Sequence, residues 1–401
     1  MTTISRLFSC LFLAALFMGC PGNDDDLTPA LNVPTDYTFE RGGTSTVSFS
    51  GQTERIGMAS ELAGAMTDFD RTVEDLSNLF RNPEGLDPFA DATLNASSKS
   101  VRSKVAASRD LFFANTTAGT AIKTQMDEWI AAQVAEVFPA QNELAAAGQA
   151  GQIADGSAVR YVNAWGLEYN QAVAKSLIGA LMYDQIANNY LSPAVLDEAD
   201  NRSNNDMGIT ADGKPYTTME HKWDEAFGYL FGASASPATP LADLGADDFL
   251  NKYLSRVEDD PDYAGIAATI EEDFRRGRAA IVAGDYTARD QAADRITEEL
   301  GKVIAIRAIY YLKQGEAALR ATPANFGTAF HDLSEGYGFI YSLRFVPTTP
   351  YAADADRVDD YLTTLRNAGG QGFWDIDPDA LATMAADIAT TTGISLEAAG
   401  N

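Results

Sequence analysis

The chain holds two histidines, His221 and His331, and each opens the same phrase. After the histidine come three residues, a glutamate, a small residue, an aromatic, a glycine, an aromatic and an aliphatic. The copies read HKWDEAFGYL from His221 to Leu230 and HDLSEGYGFI from His331 to Ile340, with three identities in ten positions. Histidine and glutamate four residues apart share one face of an α-helix. A scarce residue that recurs in one register points to internal duplication. The expectation is an all-α fold of two helical-bundle lobes, each carrying one copy.

The remaining sequence reads largely as helix. Residues 37–51 contain β-formers and Gly42-Gly43 without a helical period, and predict a short extended segment or hairpin. From Thr53 the apolar residues Ile56, Leu62, Met66, Phe69, Val73 and Leu76 fall at helical spacing, up to a stop at Pro83 and Gly85. Further helices are expected over 98–114, 120–147 and 158–191, with a loop over 192–216. Thr217 and Glu220 form a capping-box pattern that starts the helix of His221. The Ala/Ser/Pro-rich stretch from Gly232 to Gly245 divides a lobe over 37–240 from one over 241–401. In the second lobe Asp260-Pro261, Thr287 with Asp290, Thr322-Pro323 and Pro378 read as helix starts, and residues 348–377 as an acidic, aromatic loop. Nothing alternates strand with helix, so parallel-sheet folds are disfavoured.

A length of 401 residues with 46% hydrophobic content supports a substantial core. The formal charge of −28 repels phosphate backbones, which excludes nucleic acid as a partner. Both cysteines, Cys10 and Cys20, lie in the first twenty residues, so the body has no disulfide, thiolate nucleophile or cysteine metal site. No Gly-x-Ser-x-Gly elbow points to a serine hydrolase.

Residues 1–19 have the layout of an export signal: Arg6, the apolar run Leu7–Met18, then Gly19. The run Leu16-Phe17-Met18-Gly19-Cys20 resembles a bacterial lipobox, in which the cysteine is acylated and anchors the mature chain in a membrane. The other reading is an ordinary signal peptide cut near Cys20. Residues 20–36, with Asp24-Asp25-Asp26, are expected to be a flexible acidic tether. That acidic cluster reads either as a surface-targeting signal or as a plain linker.

The candidate ligand residues are His221 with Glu225 and His331 with Glu335, supplemented by carboxylates such as Glu168 and Asp224. Imidazole nitrogen and carboxylate oxygen suit iron, zinc or another divalent metal. The same spacing equally serves as an intrahelical pair that fixes helix packing, with Gly228 and Gly338 marking close helix approach. Neither the ferritin-type Glu-x-x-His nor His-Glu-x-x-His is present.

The segments Tyr37–Glu40, Ser50–Thr53, Lys175–Leu191, Tyr216–Tyr229 and His331–Gly336 resemble a family of uncharacterised lipoproteins of Gram-negative bacteria, related to the imelysin-like group named for an insulin-cleaving membrane protease. The resemblance implies two duplicated helical lobes, an outer-membrane or periplasmic setting, and a link to iron uptake beside an outer-membrane receptor. Imelysins proper bear Gly-x-His-x-x-Glu. Here Met219 and Ala329 replace the glycine, and Asp224 and Ser334 stand in place of the glutamate. The motif's metal ligands and peptidase activity therefore do not carry over. The expectation is a lipid-anchored binder or receptor accessory in iron or haem acquisition, with a metallopeptidase and a structural surface lipoprotein as the alternatives.

Overall fold

A computed structural model describes residues 31–113, 115–367 and 370–401. The expected export signal, Cys20 and the acidic cluster lie outside these residues. The first described element is a hairpin, β1 (Glu40–Arg41) with β2 (Thr44–Ser45). Its two-residue turn needs positive φ twice, which Gly42 at 61° and Gly43 at 78° supply.

Helices follow: α1 (Ser50–Ala65), α2 (Val73–Arg81), and the short α3 (Ala92–Asn95) and α4 (Arg109–Phe112). The single helix expected from Thr53 to Pro83 is two, because Thr72 and Asp75 form a complete capping box that starts α2 afresh. Of the helix expected over 98–114, the described residues form only α4, with turns and irregular chain before it. The helix expected over 120–147 is α5 (Thr116–Ala132), which continues through a π-turn, Gln133–Val137, and stops around Pro139.

The helix expected over 158–191 is corrected at its start. Residues Ala158–Val162 form β4, paired antiparallel with β3 (Gly151–Asp155) across Gly156-Ser157. Val159, Tyr161 and Val162 favour a strand, and Gly156, with φ of 59° at the first turn position, favours a two-residue hairpin turn. The helix begins only after Gly166, whose φ of 98° breaks the chain direction. It runs as α6 (Tyr169–Leu177) and then through two π-helical stretches, Ile178–Tyr183 and Ile186–Tyr190.

The loop expected over 192–216 contains α7 (Pro193–Leu196) and α8 (Asn201–Asp206), followed by α9 (Thr218–Phe231). An unexpected α10 (Leu250–Glu258) precedes Asp260-Pro261. That pair sits in the turn before α11 (Ile266–Ala283) rather than opening a helix. The 35-residue α12 (Tyr286–Arg320) is capped by Asp285 and the 18-residue α13 (Phe326–Leu343) by Asn325. Residues 348–377 contain α14 (Ala355–Arg366), and α15 (Pro378–Thr392) and the short α16 (Leu396–Ala399) end the chain. The fold is all-α, with only two small hairpins among the described residues.

Helix α12 is the spine, with α11, α13, α15 and α10 packed along it. Helix α13 is held between α12 and α6, while α9 meets α1, α11 and the far end of the α6 extension. One buried apolar cluster extends from Tyr37 to Ala399.

The α6–α13 contact explains one π-turn. On α13, Ser334, Gly338 and Ser342 recur every four residues and form a stripe of small residues facing α6. Ser334 Oγ accepts the Glu168 N–H at 2.9 Å, which caps the start of α6. Ser342 Oγ accepts the Gly179 N–H at 3.0 Å, and its single proton has two acceptors at 2.9 Å, the Lys175 carbonyl on α6 and the Gly338 carbonyl on its own helix. The Gly179 N–H and the Lys175 carbonyl are the partners that an unbroken α-helix would join to each other, so the hydroxyl is inserted into the ladder of α6. On the other side, the loop before α4 is stitched to the same helix. Ala106 N–H donates to the Ala180 carbonyl at 2.8 Å, and Asp184 Oδ2 accepts the N–H groups of Ala107 and Ser108 at 3.2 and 3.1 Å. These long-range bonds, absent from any local pattern, keep residues 98–108 out of a helix.

Between the two serines, Gly338 leaves no room for a side chain: a Cβ there would overlap Lys175 Cβ and lie 2.9 Å from Ser176 N and 3.0 Å from Ala172 O. Two of these are backbone atoms, and a Cβ is fixed by the backbone that carries it. Gly338→Ala is therefore expected to cost about 1–3 kcal/mol in urea denaturation. Gly64→Ala, in helix α1 with open space around it, is expected to stabilise by roughly 0.4–1 kcal/mol. Equal responses at the two positions would refute this account of the α6–α13 joint.

Candidate functional site

The first phrase lies on α9. Its start is the capping box expected from sequence: Thr217 Oγ1 accepts the Glu220 N–H at 3.2 Å, and Glu220 Oε2 accepts the Thr217 N–H at 2.7 Å. Glu220 also receives Arg278 Nη1 at 3.1 Å and Arg41 Nη2 at 3.0 Å. One turn on, Asp224 accepts Arg278 Nε at 3.1 Å, the Tyr37 hydroxyl at 2.7 Å and the Ser48 N–H at 3.1 Å. Asp224 and Arg278 are both fully buried. Burial pushes the Asp224 carboxyl up to about 6, against the pull of Arg278, Tyr37 and Ser48. Asp224 is thus committed to a buried ion pair that fastens the N-terminal hairpin and α11 to α9, and it does not join His221.

His221 donates Nδ1–H to the Ser48 carbonyl at 3.0 Å, and its ring stacks on Tyr216 with centroids 4.6 Å apart. Its Nε2 lies 4.0 Å from Glu225. Glu225 is in turn held by Lys222 Nζ at 2.8 Å and Gln52 Nε2 at 3.1 Å. Gly228 lets this face approach the start of α1, where an added Cβ would meet Phe49 Cβ at 2.5 Å.

The second phrase lies on α13 and gathers three of the expected residues. His331 Nδ1–H donates to Glu168 Oε1 at 3.0 Å, and Nε2 lies 3.7 Å from Glu335 Oε1. Glu168 is the residue that opens α6. Glu335 is buried and closed off by Lys175 Nζ at 3.3 Å and by the Tyr253 hydroxyl at 3.2 Å. Among the described residues no group of three or more His, Cys, Asp or Glu side chains is arranged to hold a metal ion. In both phrases Nδ1 is a donor, so Nε2 attracts its glutamate only when the ring is protonated. The clusters can store a proton and lock helices together.

The two rings shift in opposite directions. Burial lowers the His221 imidazole below its usual value, aided by Lys222 and only partly opposed by Glu225. Burial also acts on His331, but the Glu168 hydrogen bond and charge, with Glu335 behind, leave it raised. Burial pushes the neighbouring Asp332 up to about 6, with the charges of Glu335 and Asp155 adding to it.

Lys175, Tyr253 and Arg278 complete these clusters and were not anticipated. Arg278 had a readable signal: it follows Ile270 and Phe274 at four-residue spacing, on the apolar face of its helix. Lys175 follows Ala172 on α6 and shows no such signal, because its partner Glu335 is 160 residues away in the chain.

With only two histidines, a proton NMR titration reads both rings, and single His→Gln variants assign them. His331 is expected to titrate above 6.5 and His221 below it. The charge-dependent stability from His331 is then complete below the unfolded value and vanishes as pH rises through the folded one. That from neutral His221 is present above the unfolded value and lost as pH falls toward the folded one. Equal midpoints would remove the distinction. Separately, Arg278→Ala is expected to cost about 3–5 kcal/mol in urea denaturation, because the fully buried Asp224 loses its cation and Glu220 keeps only Arg41. Glu298→Ala, which breaks an exposed pair with Lys302, should cost about 1 kcal/mol or less.

Neither a curated protein nor a solved structure matches this chain. Residues 34–395 match the family described as a domain of unknown function, DUF4856. That span covers nearly all of the described residues and both phrases, and the chain belongs to this DUF4856 family.

Proposed function

We propose that the protein is a lipid-anchored lipoprotein of the Gram-negative cell envelope, related to the imelysin-like group, that serves iron or haem acquisition as an accessory of an outer-membrane uptake receptor. The anchor reading rests on Leu16–Cys20, and the setting on the resemblance of the Tyr216–Tyr229 and His331–Gly336 segments.

The observation that favours an accessory over a metal carrier is that the glutamate of each phrase is already paired with a lysine. Each histidine donates Nδ1–H to a protein oxygen, and each glutamate carries a lysine. Ligation through Nε2 would leave the Nδ1–H bonds in place, but a glutamate could join it only by giving up its lysine. A peptidase reading finds no support at the motif positions, since Asp224 pairs with Arg278 and Ser334 caps α6.

The test uses a host strain lacking the gene, grown with iron chelated or with haem as the iron source. Growth should slow relative to wild type. The wild-type gene and His331→Ala should restore it, and Cys20→Ala should not. Growth indistinguishable from wild type would overturn the uptake role. Rescue that fails with His331→Ala, joined to stoichiometric iron in the purified wild type and none in the variant, would replace the accessory with a direct binder.

A further inference from the structure

Four arginines are buried among the described residues, and three have obvious partners. Arg278 pairs with Glu220 and Asp224, and Arg289 with Asp197 and Asp290. Arg55 donates to the carbonyls of Ser100 and Gly51. Arg307 is the exception. It is only 8% exposed, its Nε has no hydrogen-bond partner, and no Asp or Glu forms an ion pair with it among the described residues. A buried cation without an anion is costly, and in a chain of net charge −28 a carboxylate partner was easily available.

The surroundings of Arg307 hold the guanidinium in place without neutralising it. Its carbon lies 4.0 Å from the ring centre of Tyr310, 4.6 Å from that of Tyr311 and 5.6 Å from that of Tyr253. Ring faces attract a cation weakly and leave its full charge available. Arg307 lines a cavity of about 320 Å³ between the end of α10, the middle of α12 and the residues after α16. Arg256 supplies a second positive charge at its wall, while Asp259 and Asp260 contribute negative ones.

We infer that this cavity is a binding site for a small oxyanion, a carboxylate or a phosphate group, with Arg307 as the anchoring cation and Arg256 as a secondary contact. The planar fork of donors on a guanidinium matches both groups. Asp259 and Asp260 select against highly charged anions and accept hydrogen bonds from the rest of the ligand. The site is separate from the histidine phrases. Its nearest link to them is Tyr253, which faces Arg307 on one side and donates to Glu335 on the other.

The experiment is calorimetric titration of the purified protein with sodium acetate and with sodium phosphate, each against sodium chloride at equal ionic strength. Saturable binding of at least one of the two is expected, and which one binds identifies the group. Arg307→Met should weaken that binding more than about tenfold, since a charged hydrogen-bonded contact is removed. Arg256→Ala, at the exposed wall, should weaken it by a smaller factor, and it tests the site even if Arg307→Met does not fold. No saturable binding of either anion to wild type would overturn the inference, as would unchanged affinity in folded Arg307→Met. Unchanged affinity in Arg256→Ala would do the same where Arg307→Met does not fold.

Discussion

The insertion of the Ser342 hydroxyl between Gly179 N–H and Lys175 carbonyl is the contact on which the α6–α13 pairing depends. It lets α13 approach α6 so closely that Gly338 and Gly179 admit no side chain. The same displacement turns α6 π-helical over Ile178–Tyr183. The widened turn leaves the Ala180 carbonyl for Ala106 N–H, and brings Asp184 to the N–H groups of Ala107 and Ser108. One serine thus connects the spine side of the molecule to a loop seventy residues earlier in the chain than α6's end. A hydroxyl can do this because it is at once donor and acceptor, and so can stand between a backbone N–H and a carbonyl.

The two His-x-x-x-Glu phrases are alike in geometry and unlike in charge. Each histidine donates Nδ1–H across a helix joint, each glutamate takes a lysine, and each glycine lies against a neighbouring helix. Around His221 the acceptor is a neutral carbonyl, so burial prevails and the ring favours its neutral form. Around His331 the acceptor is the carboxylate of Glu168, and the ring favours its charged form. One negative charge separates the two outcomes.

Buried charge divides by role in this protein. Arg278 and Arg289 are matched by carboxylates and hold elements together. Arg307 is held by tyrosine rings and open to a cavity, which is how a cation is kept available for a ligand.

Much of this was legible in the residues. Helical spacing of apolar side chains determined the all-α class, the Thr217–Glu220 box determined where α9 starts, and Gly42-Gly43 marked the first hairpin, because these signals act through neighbours in the chain. The repeated phrase correctly pointed to Gly228 and Gly338 as close helix contacts. Arg307 also carried a local signal, since it falls four residues after Val303 and four before Tyr311 on one helix face. Tertiary structure alone decided that Asp224 faces Arg278, that Glu168 reaches His331 from 163 residues away, and that Lys175 occupies Glu335. It also decided the π-turns of α6 and the unwound 98–108 segment. Those outcomes depend on which polar group a distant element brings to a backbone or carboxylate already in place, and no local spacing encodes that partner.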